Sequence, residues 1–372
     1  MTDLHDFGLY WSLDFEKNIV IPEDFREKIS KIVYSPATSE YILHKEDGSE
    51  GIRIVRGQEI GSGSYGHVYK CIPFDKKELV MKEIKCTKKT HLKSNVKEAI
   101  IQIVIAKETA TIDLPKHEIE GPFTPRIYGI GYDEDENKCY ILSDKMEDTM
   151  DNFIKEFPEM DTITQAEKDE MLIITLTKTM KMLSILQHAF RFNHRDLKLD
   201  NLMFKETKYG AFDPVFIDFG FSCIKYNGLL ISANDRFNHD FTETRDATQL
   251  LYNCGKYSKK AMSQGLYEVL EALLTWNHRG TICSLLDDQC GVKRWRNTYN
   301  FVNTQVGKNP NCTPMSVIKV LKAVEKGQPW IPELVEFHEK QKKQQQKKQT
   351  RKNTKSDLPV HGLKSLRTVK TI

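Results

Sequence analysis

The sequence predicts an α+β protein with two lobes, a small antiparallel β lobe with one main helix followed by a larger, mostly helical lobe. A length of 372 residues exceeds what one small core needs, and an apolar content of 39% with 10% aromatics is enough for a globular interior. Short β-rich runs separated by glycine, proline and charged turns fill residues 51–146, whereas longer apolar-striped segments follow. We therefore expect the two lobes to meet near Met146.

The first part of the chain is expected to supply an extension and then the β lobe. Residues 1–50 contain short apolar groups divided by Pro22, Pro36 and Gly48, which indicates an N-terminal extension with some local structure. In residues 51–146, strands are expected in GIRIVRGQEI, HVYKCIPF and ELVMKEIKC. One helix is expected in LKSNVKEAIIQIVIAKE, against the preference of its many β-branched residues. RIYGIGY and KCYILSDKM, joined by the acidic turn DEDEN, predict a hairpin.

The helical lobe is expected over residues 147–338. AEKDEMLIITLTKTMKMLSILQHAF has the length and the apolar stripe of a long helix. Segments after Asp246, such as TQLLYNCGKYSKKAMSQGLYEVLEALLTW, predict several more helices. This part of the chain is therefore expected to form the larger of the two lobes.

Residues 339–372 have no apolar period and are interpreted as a basic disordered tail. They contain eleven Lys or Arg against two acidic residues, an excess of +9. Since the whole chain carries +3, the remainder carries −6. Such a tail favours weak, salt-sensitive nucleic-acid binding, although it has no aromatic residues for base stacking. A solvated tail that keeps the protein soluble is the alternative.

The cysteines and the hydropathy pattern exclude several classes of protein. The eight cysteines are scattered without a CxxC pair, which argues against a zinc site and against a disulfide framework. The acidic start of the chain lacks the order of a signal peptide, and no apolar run approaches the roughly 18 residues of a membrane span. We expect a soluble intracellular protein, cytoplasmic or nuclear, with reduced thiols.

A glycine-rich motif, GSGSYGHV, occupies residues 61–68. GxGxxG alone also marks dinucleotide-binding turns, but such a turn opens a helix, whereas the β-prone HVYKC follows here. We therefore expect a strand–turn–strand whose glycines let backbone amides approach phosphate oxygens, with a plain glycine hairpin as the alternative. The candidate phosphate-binding residues are Gly61, Ser62, Gly63, Ser64, Tyr65 and Gly66.

A lysine in the alternating strand ELVMKEI is the second candidate. Lys82 shares a face with Val80 and Ile84, so its ammonium is expected among apolar neighbours and needs a counter-ion. Glu98, within the expected helix, is the preferred partner. The alternatives are Lys85 for the cation and Glu108 for the carboxylate.

The third group of candidates lies in HRDLKLDN, residues 194–201, and in VFIDFGFS. Asp196 can accept a hydroxyl proton, and Lys198 can steady a moving phosphoryl group. Asn201 offers a metal-binding oxygen, as does Asp218, a carboxylate that leaves an apolar strand at a glycine turn. Either cluster alone could be a surface turn, but their occurrence in one order with the glycine loop and Lys82 argues against chance.

GSGSYGHV, VMK, HRDLKLDN and DFG, in this order, resemble the eukaryotic-type protein kinase superfamily over about residues 55–335. The resemblance implies a bilobal protein-kinase-like fold with ATP and Mg²⁺ in the cleft between the lobes. It also implies that Lys82, fixed by Glu98, contacts the ATP phosphates. In the same pattern Asn201 and Asp218 hold Mg²⁺ and Asp196 deprotonates the acceptor hydroxyl, so that catalysis is mostly positioning and electrostatic stabilisation.

The resemblance also indicates the type of substrate and the adenine site. A lysine two residues after the catalytic aspartate, here Lys198, is typical of the superfamily's serine/threonine-protein kinases, which implies transfer to protein Ser/Thr hydroxyls. By position in the family pattern, the apolar residues expected around the adenine and the hinge residues expected beside it are Val68, Val80, Met203, Asp144 and Met146.

The chain departs from the family pattern after DFG. No Ala-Pro-Glu triplet occurs, and only 25 residues separate Gly220 from Asp246. We expect a short, constitutively ordered segment, and Asp246 fits the aspartate that supports the catalytic loop from a buried helix. Arg195 offers a binding partner for a phosphate on Ser232, Thr242 or Thr244. In this divergence the chain is similar to outlying kinases, including some of large DNA viruses.

Two other functions stay open at this point, a small-molecule kinase of similar fold and a catalytically inactive scaffold. Inactive members typically lose the lysine, the catalytic aspartate or the metal aspartate, and this chain keeps all three. Small-molecule kinases usually lack this glycine loop and the lysine of HRDLK. The missing Ala-Pro-Glu triplet keeps the small-molecule alternative open.

Overall fold

In a computed structural model, the described part of the chain forms a β lobe followed by a mostly helical lobe, and the predicted fold class is confirmed. The described residues are 32–44, 50–63, 66–72, 78–112, 119–133, 135–208, 210–234, 241–278, 281–286 and 312–328. Most of the N-terminal extension and all of the basic tail at 339–372 lie outside these ranges.

The first lobe is built on a seven-stranded sheet in which every neighbouring pair is antiparallel. Its strand order is β1-β2-β3-β4-β5-β7-β6, and the predicted hairpin forms its far edge. One helix, α1, connects β5 to β6 as predicted. The elements are β1 (Ile32–Ser35), β2 (Glu40–His44), β3 (Glu50–Gly63), β4 (Gly66–Ile72), β5 (Leu79–Lys85), α1 (Lys89–Thr109), β6 (Ile127–Asp133) and β7 (Lys138–Asp144).

Strands β1 and β2 lie in residues that the sequence assigned to the N-terminal extension, so the sheet starts earlier than the expected boundary at residue 50. They form a hairpin that adds to β3, with Tyr41 paired opposite Ile54. β1 also meets the other edge of the sheet, since a Cβ on Gly131 of β6 would lie 2.3 Å from Ile32 Cγ1. The sheet therefore curls until its two edges touch, around a buried core cluster with its own aromatic residues.

Helix α1 packs on the opposite face of this sheet. Its β-branched residues cost a few tenths of a kcal/mol each in helix propensity, which is why the sequence alone argued weakly for a helix. Ile101, Val104 and Ile105 are buried against the sheet and the second lobe. Burying one such side chain contributes about 1.5–3 kcal/mol, so tertiary packing outweighs propensity here.

The second lobe is mostly helical and also contains three small two-stranded sheets. Its long helix α3 starts with a capping box between Thr164 and Glu167 and packs against α6. The elements are α2 (Met150–Glu156), α3 (Gln165–Phe190), β8 (Leu202–Glu206), β9 (Phe212–Phe216), β10 (Cys223–Tyr226), β11 (Leu229–Ser232), α4 (Arg245–Tyr257), α5 (Gln264–Leu273), β12 (Thr275–His278), β13 (Thr281–Ser284) and α6 (Pro314–Glu325).

The segment after α1, residues 119–126, fastens the first lobe to the second. Lys205 of β8 donates to the backbone oxygens of Glu120, at 2.6 Å, and of Pro122, at 3.0 Å. The Glu120 N–H donates to Asp213 Oδ2 at 2.8 Å. Burial lowers the pKa of Lys205 to about 8. The two lobes thus share a polar, partly dehydrated contact behind the cleft.

The described helices and cysteines bear on two of the expectations from composition. No helix among them has both the length and the apolar character to cross a membrane. The cysteines whose side chains the structure describes are buried and free, and no cluster of metal-ligating side chains occurs in the same part of the chain.

Candidate active site

The glycine-rich motif spans the end of β3 and the start of β4, which pair antiparallel with Gly63 opposite Gly66, so the strands predicted on both sides of the motif are present. Gly66 has φ +150, and a Cβ there would lie 2.0 Å from the backbone oxygen of Glu83. Only glycine fits at this point. Gly61, Ser62 and Gly63 end β3, whereas Ser64 and Tyr65 lie outside the described residues.

The structure brings Lys82 of β5 to Glu98 of α1, with Lys82 Nζ 2.7 Å from Glu98 Oε1. Burial opposes the charge on the ammonium, but the carboxylates of Glu98 and Asp218 outweigh it, so the pKa of Lys82 is raised above its usual value. The alternative residues, Lys85 and Glu108, do not form this ion pair. Lys85 is exposed, and Glu108 accepts a hydrogen bond from Tyr226 at 2.9 Å.

Residues 193–201 form an irregular loop between α3 and β8, anchored by Asp246 of α4. Asp246 is fully buried and accepts from the backbone N–H groups of His194 and Arg195, both at 2.8 Å. It also accepts from the side-chain amide of Asn193 at 3.0 Å. The structure thus places Asp246 where the family pattern expects the supporting aspartate.

The loop holds three of the candidate residues together. Asn201 Nδ2 donates to the Asp196 backbone oxygen at 2.8 Å and to Asp196 Oδ2 at 3.2 Å. Lys198 Nζ lies 3.5 Å from the same carboxylate. Burial raises the pKa of Asp196, and the charge of Lys198 partly offsets this rise. Because its amide nitrogen is committed to Asp196, Asn201 has its side-chain oxygen left as a possible metal ligand.

Asp218 follows β9 and is tied to the loop through the residue before it. The Ile217 N–H donates to the Asn201 backbone oxygen at 3.1 Å, and the Ile217 oxygen lies 2.9 Å from His194 Nε2. Asp218 itself has φ 59, a left-handed conformation that aspartate tolerates better than most residues. Phe219 is fully buried, with its ring centroid 5.4 Å from that of His194.

Asp218 faces the lysine across the cleft. Its charge raises the pKa values of Lys82, Glu98 and Asp196. A Cβ on Gly220 would lie 3.4 Å from both Asp218 Oδ1 and Glu98 Oε2, so these two carboxylates approach the same point. Charged groups from both lobes therefore converge on one cleft.

The expected adenine-binding residues are distributed over both lobes. Val68 pairs with Lys82 across β4 and β5, and Val80 shares the Lys82 face of the sheet, so these three face the same side. Met203 lies on β8 and bridges to Thr149 beside α2. The structure therefore puts apolar side chains on the Lys82 face and on β8.

The two expected hinge residues differ in what their side chains do. The Asp144 carboxylate turns toward β6, where it accepts from the Arg126 N–H at 3.0 Å and from the Tyr128 hydroxyl at 2.7 Å. Its side chain is thus used within the first lobe, and its backbone N–H also donates there, to the Arg126 oxygen at 3.1 Å. Met146 follows two residues later and is half-buried.

The segment after DFG forms a hairpin that the sequence analysis missed. Strands β10 and β11 are joined by Asn227 and Gly228, both with positive φ, the pairing that a two-residue hairpin turn prefers. The signal was visible, because Asn-Gly stands between Tyr226 and Leu229. The hairpin lies against α1, where the Tyr226 hydroxyl reaches Glu108.

Two of the candidate phosphorylation sites, Ser232 and Thr244, lie in buried surroundings. Ser232 and Thr244 are buried, with 4% and 6% of their surface exposed. Ser232 Oγ donates to the Asn234 backbone oxygen and lies 3.5 Å from an Arg195 side-chain nitrogen. Arg195 thus contacts the hairpin directly.

Comparison with known proteins agrees with this geometry. A family model described as the protein kinase domain matches residues 54–245, about half of the chain. The chain is also 24% identical, over 201 residues, to the probable serine/threonine-protein kinase fnkE of Dictyostelium discoideum. That match covers 54% of this chain and 14% of the relative's length. By its sequence match, its two-lobed fold and its cleft, the chain belongs to the protein kinase domain family.

Proposed function

We propose that the protein transfers the γ-phosphoryl group of ATP to serine or threonine hydroxyls of proteins, with Mg²⁺ as the metal. The observation that carries the proposal is the convergence of the Lys82–Glu98 pair with Asp196, Asn201 and Asp218 in a single cleft. No single motif supports it as strongly, because the convergence involves groups from both lobes.

Asp196 is proposed to accept the proton of the substrate hydroxyl. The hydroxyl oxygen forms a bond to the γ-phosphorus, the bond from that phosphorus to the ADP oxygen breaks, and the proton passes to the carboxylate. Asn201 fixes the carboxylate from one side. Lys198, at 3.5 Å from it, is placed to interact with the phosphoryl oxygens during transfer.

Lys82 and the glycine turn are proposed to hold the nucleotide. The Lys82 ammonium stays protonated, because its raised pKa keeps the charge at neutral pH. Glu98 fixes its direction, which reduces the freedom that a long side chain must lose on binding a phosphate. Gly66 lets the start of β4 lie close to β5, where a Cβ would meet the Glu83 backbone oxygen. The glycines of the turn are proposed to let its backbone amides approach a phosphate.

The residues near Asp218 fit a magnesium ion. Mg²⁺ prefers oxygen ligands, and the Asp218 carboxylate and the Asn201 side-chain oxygen are of this kind. The Asn201 amide nitrogen already donates to Asp196, which determines the orientation of its oxygen. When bound, the ion would neutralise charge that develops on the phosphate oxygens.

Serine/threonine specificity is inferred from Lys198 in HRDLKLDN and from the relative, which is described as a probable kinase of this type. The experiment incubates the full-length protein with labelled ATP, Mg²⁺ and a generic protein substrate, beside Asp196→Asn. Phosphoserine or phosphothreonine that disappears in the variant is expected. Labelling of small molecules alone would favour the small-molecule kinase, and equal labelling by the variant would contradict the proposal.

We also propose that the described parts of the segment after DFG, residues 221–234 and 241–245, are ordered without phosphorylation. The Asn227-Gly228 hairpin and its contacts with Glu108 and Arg195 support this. Alanine at Ser232, Thr242 and Thr244 together is therefore expected to leave most of the activity of a phosphatase-treated protein. Loss of activity in this triple variant, with an unchanged circular dichroism spectrum, would contradict the proposal.

A further inference from the structure

Helix α4 is buried from Arg245 to Gly255, yet three of its side chains on one face are polar. Asp246, Gln249 and Asn253 follow the spacing i, i+3, i+7, which places them on one side of a helix. Their exposed fractions are 0%, 3% and 5%. Buried polar groups need hydrogen-bond partners, so this stripe requires a polar surface opposite it.

The partner is the backbone of the catalytic loop. Asp246 accepts hydrogen bonds from the backbone N–H groups of His194 and Arg195, at the start of the loop. Gln249 Oε1 accepts from the Leu197 N–H at 3.1 Å. Asn253 Oδ1 accepts from the Leu199 N–H at 3.0 Å. Each turn of the helix therefore holds a successive part of the loop.

The two amides act on the peptide groups beside Asp196 and Lys198. A backbone N–H lies in the rigid peptide plane that joins it to the preceding residue. By holding the N–H of Leu197, Gln249 fixes the plane that follows Asp196. By holding the N–H of Leu199, Asn253 fixes the plane that follows Lys198.

The side chains of the loop are directed accordingly. Leu197 and Leu199 are fully buried in the core of the second lobe. Asp196, just before Leu197, has 13% of its side-chain surface exposed, and Lys198, between the two leucines, has 30% exposed. The leucines anchor the loop on the core side, and the amides of α4 fix the peptide planes that direct the two charged side chains.

We propose that Gln249 and Asn253 are positioning residues for phosphoryl transfer, Gln249 for Asp196 and Asn253 for Lys198. This inference rests on the roles proposed above for those two charged residues. A displacement of about 1 Å can cost roughly 100-fold in rate, so loss of either amide lowers kcat. Among the described residues, neither amide has a hydrogen bond to Lys82 or to the glycine-rich motif, so nucleotide affinity is expected to be unaffected.

The test uses full-length Gln249→Met and Asn253→Leu, which remove the acceptor and keep side-chain length or shape. Gln249→Ala and Asn253→Ala are made in parallel, since their smaller side chains leave room for water at the N–H if the larger ones do not fold. We expect kcat at saturating Mg·ATP to fall about 10- to 100-fold. Affinity for a fluorescent ATP analogue is expected to change less than about twofold.

Matched variants separate positioning from general stability. Gln249→Glu and Asn253→Asp keep an acceptor oxygen, and they are expected to recover most of kcat. Thr248→Val removes a hydrogen bond between the Thr248 hydroxyl and the Thr244 backbone oxygen, 2.7 Å long, in the same buried helix. It is expected to lower the melting temperature without lowering kcat. Folded variants of both amides with wild-type kcat would overturn the inference.

Double variants test whether Gln249 acts through Asp196 and Asn253 through Lys198. In a Lys198→Met background, Asn253→Leu is expected to cause no further loss, whereas Gln249→Met still lowers kcat. Equal further losses from both variants would overturn the assignment of Asn253 to Lys198. If the wild type is active and Asp196→Asn is not, these failures concern the inference alone. An inactive wild type would instead contradict the proposed function.

Discussion

The two sides of the cleft hold their charged groups by different means. In the first lobe, the ammonium of Lys82 is held by one carboxylate, Glu98, which comes from a separate helix. In the second lobe, Asp196 belongs to a loop whose backbone donates to several side chains of one buried helix. The first arrangement depends on where α1 lies, whereas the second forms with the core. Loss of a single contact should therefore affect the two sides to different extents.

The largest effect is expected on the second-lobe side, from Asp246→Ala. Two backbone N–H groups and the Asn193 amide lose their acceptor in a buried site. Each unsatisfied donor costs about 1–3 kcal/mol, so the free energy of unfolding should fall by about 3–5 kcal/mol. Urea denaturation measures this fall, and Asp246→Asn, which keeps one acceptor oxygen, should lose less. A loss below about 1 kcal/mol for Asp246→Ala would show that the loop is not anchored in this way.

On the first-lobe side, Glu98→Gln should reduce activity more than stability. The substitution keeps the shape of the side chain but removes the charge that directs Lys82. We expect kcat/KM for ATP to fall about 10- to 100-fold, or about 1.4–2.7 kcal/mol of transition-state stabilisation. Glu108→Gln is the matched control on the same helix, and it should stay near the wild type because glutamine can still accept from Tyr226. Equal losses in both variants would contradict a specific role for Glu98.

A smaller effect is expected from Tyr226→Phe, which keeps the ring and removes the hydroxyl that reaches α1. One hydrogen bond of this kind contributes about 1 kcal/mol. If the hairpin helps to place α1, the loss should appear as a fall of a few-fold in kcat/KM as well as in stability. Tyr132→Phe, which removes a hydroxyl contact with Asn137 in the lobe that contains α1, is the control for stability. Unchanged kinetics in Tyr226→Phe would limit the hairpin to a structural role.

A last effect, which depends on pH, concerns Lys205 behind the cleft. Its pKa is lowered from 10.5 to about 8 in the folded protein, so the unfolded chain binds the proton more tightly. The resulting penalty on stability is present below the folded pKa and is relieved as the pH rises toward the unfolded value. Denaturation at about pH 7.5 and about pH 9.5 should show the wild type gaining stability relative to Lys205→Met. A difference that does not change with pH would contradict the shift.

The sequence made one part of this arrangement predictable because its signals are local. The glycine turn, HRDLKLDN and DFG each lie within eight residues, and the family that they resemble implies which groups should meet. The pairing of Lys82 with Glu98 followed from the need of a partly buried cation for a carboxylate on the nearest helix. In the structure Lys82 pairs with Glu98. Glu108, near the end of α1, lies beside Tyr226 instead.

Other contacts could not be predicted from the sequence because they join residues that are far apart in the chain. Tyr226 and Glu108 are 118 residues apart, and nothing in either local pattern indicates the other. Gln249 and Asn253 look like ordinary polar residues until their helix is known to be buried. The hairpin at Asn227 and Gly228 is different, since its turn signal was present and was not used.

The β1–β2 hairpin of the first lobe determines how the protein can be divided for experiments. The family match starts at residue 54, and an expression fragment cut there would lack both β1 and β2. Tyr41 and Ile32 would be removed, and the surfaces of Met81 and Tyr140 that they cover would face water. Large exposed apolar patches promote aggregation. A shortened fragment that retains every motif of the family pattern should therefore be less soluble than one that begins before Ile32.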